Sequence, residues 1–432
     1  QTEAEAAALA IKNGVNVECG ASMKGLQTAL DNKWVNAAEI DAALRNNLSI
    51  LFKLGWFDPE GSNPYDKIPA SVVDNEAHRK LAYKAAQESI VLLSNKNHTL
   101  PLQNTLKNIF VTGPNADATN VLLANYNGNS GNLTTILEGI TNKINAGTTL
   151  GYDKGCELTD TSKQSMYWMI NDADAVVAVL GLSPLLEGEN GDAALSEAGG
   201  DKKDIRFPYA QLKYLRALRA KTKKPLIVVV TTGSAVELKE VEEIADAVLL
   251  AWYPGEEGGN AVADVIFGNA SPGGRLPVTF YQRNEQLPDF NDYSMKGRTY
   301  RYFDGPVQHP FGFGLSYTQF SYSNFKVNTS TNDFKCNFTL ANTGDRDGEE
   351  VVQVYVKRHD KKDAEPNLQL KQFQRVALKK GMTKQMSISL PSSSFLFWDE
   401  VKKEWTVYPG DYDISIGSSA TDIKQTERIT IR

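Results

Sequence analysis

Three cysteines in 432 residues, Cys19, Cys156 and Cys336, lie too far apart for a disulfide framework or a CxxC metal site. The four histidines, His78, His98, His309 and His359, have no ligand spacing either, so no metal and no cofactor is expected. No apolar run nears the roughly 20 residues that span a bilayer. Basic charge is also short. The formal net charge of -6 argues against nucleic acid, whose phosphates require a basic face. The chain opens at Gln1 with no initiating methionine or signal peptide and reads at once as a helix, so it is expected to begin inside a structural unit.

What is present is a globular composition, 41% hydrophobic and 23% charged, in a chain long enough for two or three domains. Residues 1–60 read as the end of a β/α domain: a helix over Ala4–Lys12, a strand over Val15–Cys19, and a second helix over Ala37–Leu54. That second helix carries Ile40, Leu44, Leu48 and Leu51 on one stripe. Residues 61–75, with Pro64 and Pro69, read as a linker. Residues 76–316 alternate helices with short continuous apolar strands. Helices are expected over His78–Leu93, Thr135–Ala146, Lys163–Asn171, Tyr209–Lys221 and Gly259–Phe267. Strands are expected over Asn108–Gly113, Ala175–Leu180, Pro225–Val230, Ala247–Trp252 and Leu276–Phe280. That pattern predicts an α/β sandwich with a mainly parallel sheet covered on both faces. From 317 to 432 the helical period vanishes. Seven short alternating segments, the sixth being Trp405–Tyr408 and the last Tyr412–Ile416, predict a β-sandwich of immunoglobulin or fibronectin type. Trp398 and Trp405 read there as core or edge residues.

Chemistry concentrates in three places. An acidic, glycine-containing loop, Gly181 to Pro208, leaves the carboxyl end of Ala175–Leu180 and carries Glu187, Glu189 and Glu197. Ligand groups of open parallel sheets sit at that end, and a carboxylic acid that protonates a leaving oxygen is half of a glycosidase. The plainer reading of the loop is a solvated acidic surface. A second loop, Ala251 to Gly259, holds Glu256 and Glu257 and lacks a P-loop lysine, so a phosphate would be repelled. Its glycines suit close backbone packing, and Trp252 or Tyr253 could stack on a sugar face. The third segment, Asp289 to Phe303, interleaves aromatics with arginines. Arg298 and Arg301 suit sugar hydroxyls and Tyr300 a sugar face, although the same residues could equally join the α/β domain to the sandwich. Pro310–Tyr317 reads as such a joint.

These segments, taken in order, resemble glycoside hydrolase family three and, within it, the β-xylosidase branch. The likeness runs through Glu3–Ala10 with Gly14–Gly20, Ile50–Asp58, Ala86–Asn95 with Leu100–Leu102, and Gly113-Pro-Asn-Ala116. It continues through the Glu187/Glu189 loop, Ala251–Gly259, Pro272–Pro277, Gly297–Tyr302 and Phe311–Tyr317. The resemblance implies a (β/α)8-like barrel, an α/β sandwich and a fibronectin type III-like domain, in that order. It also implies a retaining, exo-acting β-glycosidase in which a barrel aspartate is the nucleophile and a second-domain glutamate is acid and then base. By its offset Glu189 matches the acid/base position, with Glu187 next and Glu197 behind. A longer insert than in relatives separates Glu189 from Gly200-Asp-Lys202.

No Ser-Asp dipeptide and no Lys-His pair occurs, and relatives carry the nucleophile and a sugar-binding pair in those. The chain therefore resembles the carboxy-terminal part of such an enzyme, and by itself is expected to be inactive. Its expected partners are an oligosaccharide and the missing amino-terminal barrel portion, with a homodimer left open and a secreted or periplasmic location. β-Xylosidase leads, and β-glucosidase of the same family is the alternative. A non-catalytic carbohydrate-binding or scaffolding fragment is the reading from another class.

Overall fold

The computed structural model describes residues 2–432 except 104, 129, 166–167, 198, 330–332, 362–364 and 400. The chain divides into two compact units, Gln1–Asn75 and Glu76–Arg432.

The first unit holds helices α1 (Glu3–Lys12), α2 (Leu26–Asp31) and α3 (Ala37–Lys53). Capping boxes start two of them: Thr2 with Glu5 for α1, and Asn36 with Glu39 for α3. Each box satisfies backbone N–H groups that a helix start leaves without partners. A small core of Ala4, Ala8, Ala29 and Val35 joins these helices. Most of the α3 stripe stays half-exposed, and Ala43 is that helix's buried residue. The strand expected over Val15–Cys19 is absent. The segment has no pairing neighbour among the described residues, and a strand exists only through its neighbour.

The second unit is built on one six-stranded sheet. Its strands are β1 (Val91–Asn95), β2 (Asn108–Thr112), β3 (Thr149–Asp153), β4 (Ala175–Gly181), β5 (Leu226–Thr231) and β6 (Ala247–Leu250), in spatial order β1-β6-β5-β4-β2-β3. All neighbours are parallel except β1, which runs antiparallel to β6. Along β4 the side chains alternate between two cores: Val176, Ala178 and Leu180 face one, Ala175, Val177 and Val179 the other. Helices cover both faces, which is why the central strands are apolar at every position. They are α4 (Glu76–Ser89), α5 (Asn120–Leu123), α6 (Ile136–Lys143), α7 (Tyr209–Lys221), α8 (Lys239–Ile244) and α9 (Gly258–Phe267). Helices α6 and α9 cross at two glycines. A Cβ on Gly139 would lie 2.0 Å from the Gly259 carbonyl oxygen, so neither position tolerates a side chain.

Three expectations need correction here. The helix predicted to run to Leu93 ends at Ser89, because Val91–Asn95 pairs with β6 as an edge strand. The stretch Leu276–Phe280 is not a sheet strand; only the short β7 (Phe280–Tyr281) pairs, with β8 (Val307–His309). Of the helix expected over Lys163–Asn171 a single turn, Trp168–Asn171, is present, and residues 166–167 lie outside the described residues.

A last short helix, α10 (Thr299–Tyr302), precedes the carboxy-terminal sandwich. One of its sheets is β13-β10-β9 (Thr383–Pro391, Asp333–Asn342, Phe320–Thr329). The other is β12-β11-β16-β17 (Gln369–Leu378, Gly348–Arg358, Gly410–Gly417, Ile423–Ile431). The seventh strand is thus β17, not Trp405–Tyr408. Trp405 belongs to a side hairpin, β14 (Phe397–Asp399) with β15 (Glu404–Thr406), where it faces Trp398 edge-on at 5.8 Å. The two rings are 44% and 64% exposed, so neither is a core residue.

The sandwich is fastened to the α/β layers by a buried ion pair, Arg275 to Glu350 at 2.9 Å, with side chains 8% and 7% exposed. Arg375 adds bonds to Glu349 and to the Glu88 carbonyl, and the Tyr317 hydroxyl donates to the Val265 carbonyl. Removing one member of a buried pair strands the other charge, at a cost of about 3–5 kcal/mol. Urea denaturation of Glu350→Ala is expected to show a loss of that size. The double replacement Arg275→Met with Glu350→Leu should recover most of it. A Glu350→Ala variant as stable as the parent would show that the joint does not depend on this pair.

Candidate active site

The order β3-β2-β4-β5-β6 reverses direction between β2 and β4, so the loops leaving those two strands diverge. Open α/β sheets bind ligands in the crevice above such a point. A cavity of about 460 Å³ lies there, lined in part by Pro114, Asn115, Lys154, Ser183, Leu185 and Leu195. One wall is the acidic loop.

That loop is anchored where it leaves the sheet. At Gly181 (φ 125°) a Cβ would come within 2.1 Å of the Thr231 carbonyl oxygen, so only glycine lets β4 and β5 stay paired to their ends. The Leu182 N–H donates to the Thr231 carbonyl at 2.7 Å. Buried Asn115 donates to the Leu182 carbonyl at 3.1 Å and to the Thr231 hydroxyl at 2.8 Å. The loops after β2, β4 and β5 are thereby joined through one amide.

Glu187 extends the joining to β6. Its Oε1 accepts from the Gly233 N–H at 2.5 Å, the Tyr253 hydroxyl at 2.7 Å and the Thr232 hydroxyl at 3.3 Å. Its Oε2 accepts from the Ser234 hydroxyl at 2.5 Å, with the Lys202 ammonium 3.9 Å away. The side chain is 12% exposed. A carboxylate has about four acceptor sites, and here they are taken up within the protein. Burial, then the Glu187 charge, push the Tyr253 phenol far above the usual tyrosine range. Burial also holds the Lys202 amine below the usual lysine range, against the opposing pull of Glu187 and Asp204.

Glu189, two residues on, is exposed. Hydrogen bonding with Glu189, then desolvation and the charge of that carboxylate, push the Tyr126 phenol up to about 12. The insert that follows folds back on itself: the Gly191 N–H donates to the Gly199 carbonyl at 2.7 Å, returning the chain so that Lys202 stands beside Glu187. Glu197 lies exposed in that excursion.

The remaining candidates are placed as follows. Tyr253 is part of the Glu187 cluster. Trp252, next to it, has a left-handed backbone (φ 59°), is half-buried, and meets Phe280 edge-on at 6.3 Å. Arg298 donates to the carbonyls of Asp289, Asp292 and Ser294, which closes its own loop. Tyr300 is stacked on Phe311 at 4.2 Å, lies edge-on to Tyr355, and its hydroxyl accepts from the Leu370 N–H at 3.0 Å. Its ring and hydroxyl are therefore engaged at the joint with the sandwich, and neither it nor Arg298 contacts the Glu187 cluster. Tyr126, Ser234 and Lys202 were not singled out from the sequence. Each sits in a loop whose neighbours are set by the sheet order, and no local motif marks them. Among the described residues no group of three or more His, Cys, Asp or Glu could hold a metal ion. Among the described residues no helix is long and apolar enough to cross a membrane.

The model of the glycosyl hydrolase family 3 C-terminal domain matches residues 90–317, and that of the fibronectin type III-like domain matches 350–420. The chain belongs to glycosyl hydrolase family 3. It is 29% identical to a xylan 1,4-beta-xylosidase of Xylanibacter ruminicola, over 98% of this chain and 66% of that protein. It is 31% identical to a periplasmic beta-glucosidase of Salmonella typhimurium, over 98% and 60%. Among solved structures, a family 3 exo-beta-xylosidase with a xylobiose aziridine probe superposes with a TM-score of 0.85 at 27% identity, over 99% of this chain and 59% of that one. The chain thus spans about three-fifths of the length of these proteins.

The unlike surroundings of the two glutamates lead to opposite stability effects. Glu187→Ala leaves partly buried donors, chief among them the Tyr253 and Ser234 hydroxyls, without this acceptor, at up to about 1–3 kcal/mol per group. Thermal denaturation should show a clear loss, and hydrogen exchange should rise across residues 182–202 and 231–235. Glu189→Ala, at an exposed position, should stay within about 0.5 kcal/mol of the parent. Equal losses for both would mean that Glu187 is not the anchor.

Proposed function

We propose that the chain supplies the acid/base half of a retaining, exo-acting β-glycosidase, with Glu189 as the acid/base. The observation carrying this reading is the contrast within one loop: the Glu187 carboxylate is spent on five groups of the protein, whereas that of Glu189 is displayed at the surface. A general acid must reach a leaving oxygen and later a water, and only an accessible carboxyl can do both. In the proposed reaction Glu189 protonates the glycosidic oxygen while a carboxylate from the amino-terminal barrel portion attacks the anomeric carbon. Glu189 then takes a proton from the water that releases the sugar. Retention needs the two carboxyls about 5–5.5 Å apart. The partner in this reading is that barrel portion, of which residues 1–60 would be the end, with 61–75 as linker. A second copy of the chain is not required.

Xylo-oligosaccharides are the proposed substrates, released from the non-reducing end as xylose, because relatives named as β-xylosidases match over nearly the whole chain. A β-glucosidase is the second reading, supported by the Salmonella relative, whose name also supports a secreted or periplasmic location. Tyr253 and Trp252, beside the loop, are the proposed sugar-facing residues on this side. The contacts of Arg298 and Tyr300 favour a structural role for both.

Two experiments test this. In the enzyme completed with its barrel portion, Glu189→Ala should slow xylobiose about 10²–10⁴-fold and dinitrophenyl xyloside far less, with azide restoring rate. Azide rescue of Glu187→Ala, with parental kinetics for Glu189→Ala, would move the role to Glu187. The 432-residue chain alone should not turn over nitrophenyl xyloside, since a retaining mechanism needs a nucleophile. Turnover comparable with a complete relative would place the aspartate inside this chain.

A further inference from the structure

We propose that the hairpin of β14 and β15 is a binding site for a neutral, twisted β-1,4-linked glycan of the xylan type. Trp398 and Trp405 form its sugar-facing surface.

Single exposed apolar side chains are ordinary on a protein. These two differ because the hairpin is built to display them. Trp398 stands directly opposite Trp405 in the strand register, and both indoles are exposed. The residues flanking Trp398 in β14 point the other way and are fixed. Phe397 is buried in the sandwich core, with the rings of Tyr408 and Tyr412 at 6.4 and 6.3 Å. Asp399 is buried as well. Its Oδ1 accepts from the Val401 and Lys402 N–H groups at 2.9 and 3.0 Å, and its Oδ2 from the Tyr408 hydroxyl at 2.7 Å. A hairpin this short is marginal in water by itself. Anchored through Phe397 and Asp399, it holds the opposite face, with both indoles, out to solvent. Adjoining aromatic area kept in water in this way marks an interaction surface.

The chemistry of that face suits a sugar. A pyranose packs its ring C–H groups on an aromatic face, while the hydroxyls around it need hydrogen-bond partners. Neither indole N–H has an acceptor among the described residues, so both remain to donate. Lys402 and Glu404, exposed beside the rings, add a donor and an acceptor.

The angle between the rings selects the glycan. Their centroids are 5.8 Å apart and their planes are inclined at 68°. A β-1,4-glucan is a flat ribbon whose hydroxymethyl groups help to hold successive sugars coplanar, and it fits coplanar aromatic rings. A β-1,4-xylan lacks those groups and twists along its axis, so neighbouring sugar faces are steeply inclined. Two steeply inclined indoles can therefore each meet one face of a xylan chain. Binding here uses no catalytic residue, so it stands or falls apart from the reading of Glu189.

The test uses the 432-residue chain itself, run on native gels that contain neutral arabinoxylan or hydroxyethylcellulose. Arabinoxylan should retard it and hydroxyethylcellulose should not. Trp398→Ala and Trp405→Ala should each weaken retention about fivefold or more. The double variant should lose it, and Trp405→Phe, which keeps a ring, should retain part. A second measurement needs no variant: xylohexaose should protect Trp398 and Trp405 from oxidation by N-bromosuccinimide, read by peptide mass spectrometry. No retardation of the parent, equal retention by both polymers, undiminished retention of the double variant or unprotected indoles would overturn the site. A parent dimer in sedimentation that the double variant dissolves would also overturn it, because a second copy would then cover the rings. In the enzyme completed with its barrel portion, indoles shielded before any sugar is added would do the same.

Discussion

The carboxylate of Glu187 is the constraint on which the site depends. It draws donors from the loops after β5 and β6 and one ammonium from the returning arm of its own loop. Partly buried hydrogen bonds to a charged group are worth roughly twice neutral ones, and losing the acceptor leaves several donors unsatisfied at once. The loop base is consequently held to the sheet by these polar bonds, alongside Leu182 and Leu186, which pack against the core. Asn115 does the same for the loop after β2 with a single amide.

This arrangement separates two jobs that neighbouring glutamates could have shared. Two residues further along, the chain has cleared the cluster, and Glu189 is exposed. A side chain whose acceptor sites are filled by protein donors is a strut, whereas one that leaves them open can exchange a proton with a substrate. The same logic applies away from the site. Arg275 with Glu350, and Tyr300 with Phe311 and the Leu370 N–H, spend their polar and aromatic capacity on fastening the sandwich.

The fold class was legible because its signals are local. Runs such as Ala175–Leu180 and Leu226–Val230 are apolar at consecutive positions, as only a strand covered on both faces requires. Most strands of the sandwich were legible by period two. The errors fell where local and tertiary signals compete. Val91–Asn95 continues an apolar helical pattern and becomes a strand because β6 offers an edge. Strand β17 alternates half-buried with exposed residues, and its polar face hid it. Trp398 and Trp405 have the composition of core residues, but a three-residue hairpin cannot cover two indoles, and they pack on each other at the surface.

By itself the sequence determined that the α/β layers precede the β-sandwich, four strands of the central sheet (β2, β4, β5 and β6), and the loop in which the acidic residues lie. All of these follow from hydrophobic periodicity and turn residues, which act over a few positions. Tertiary structure decided what each glutamate of that loop can do. Gly233, Ser234 and Tyr253 are 46, 47 and 66 residues from Glu187 in the chain, and they meet it only because β4, β5 and β6 lie side by side. Spacing can place a carboxylate in a loop, but its partners come from other strands, and the sheet chooses them.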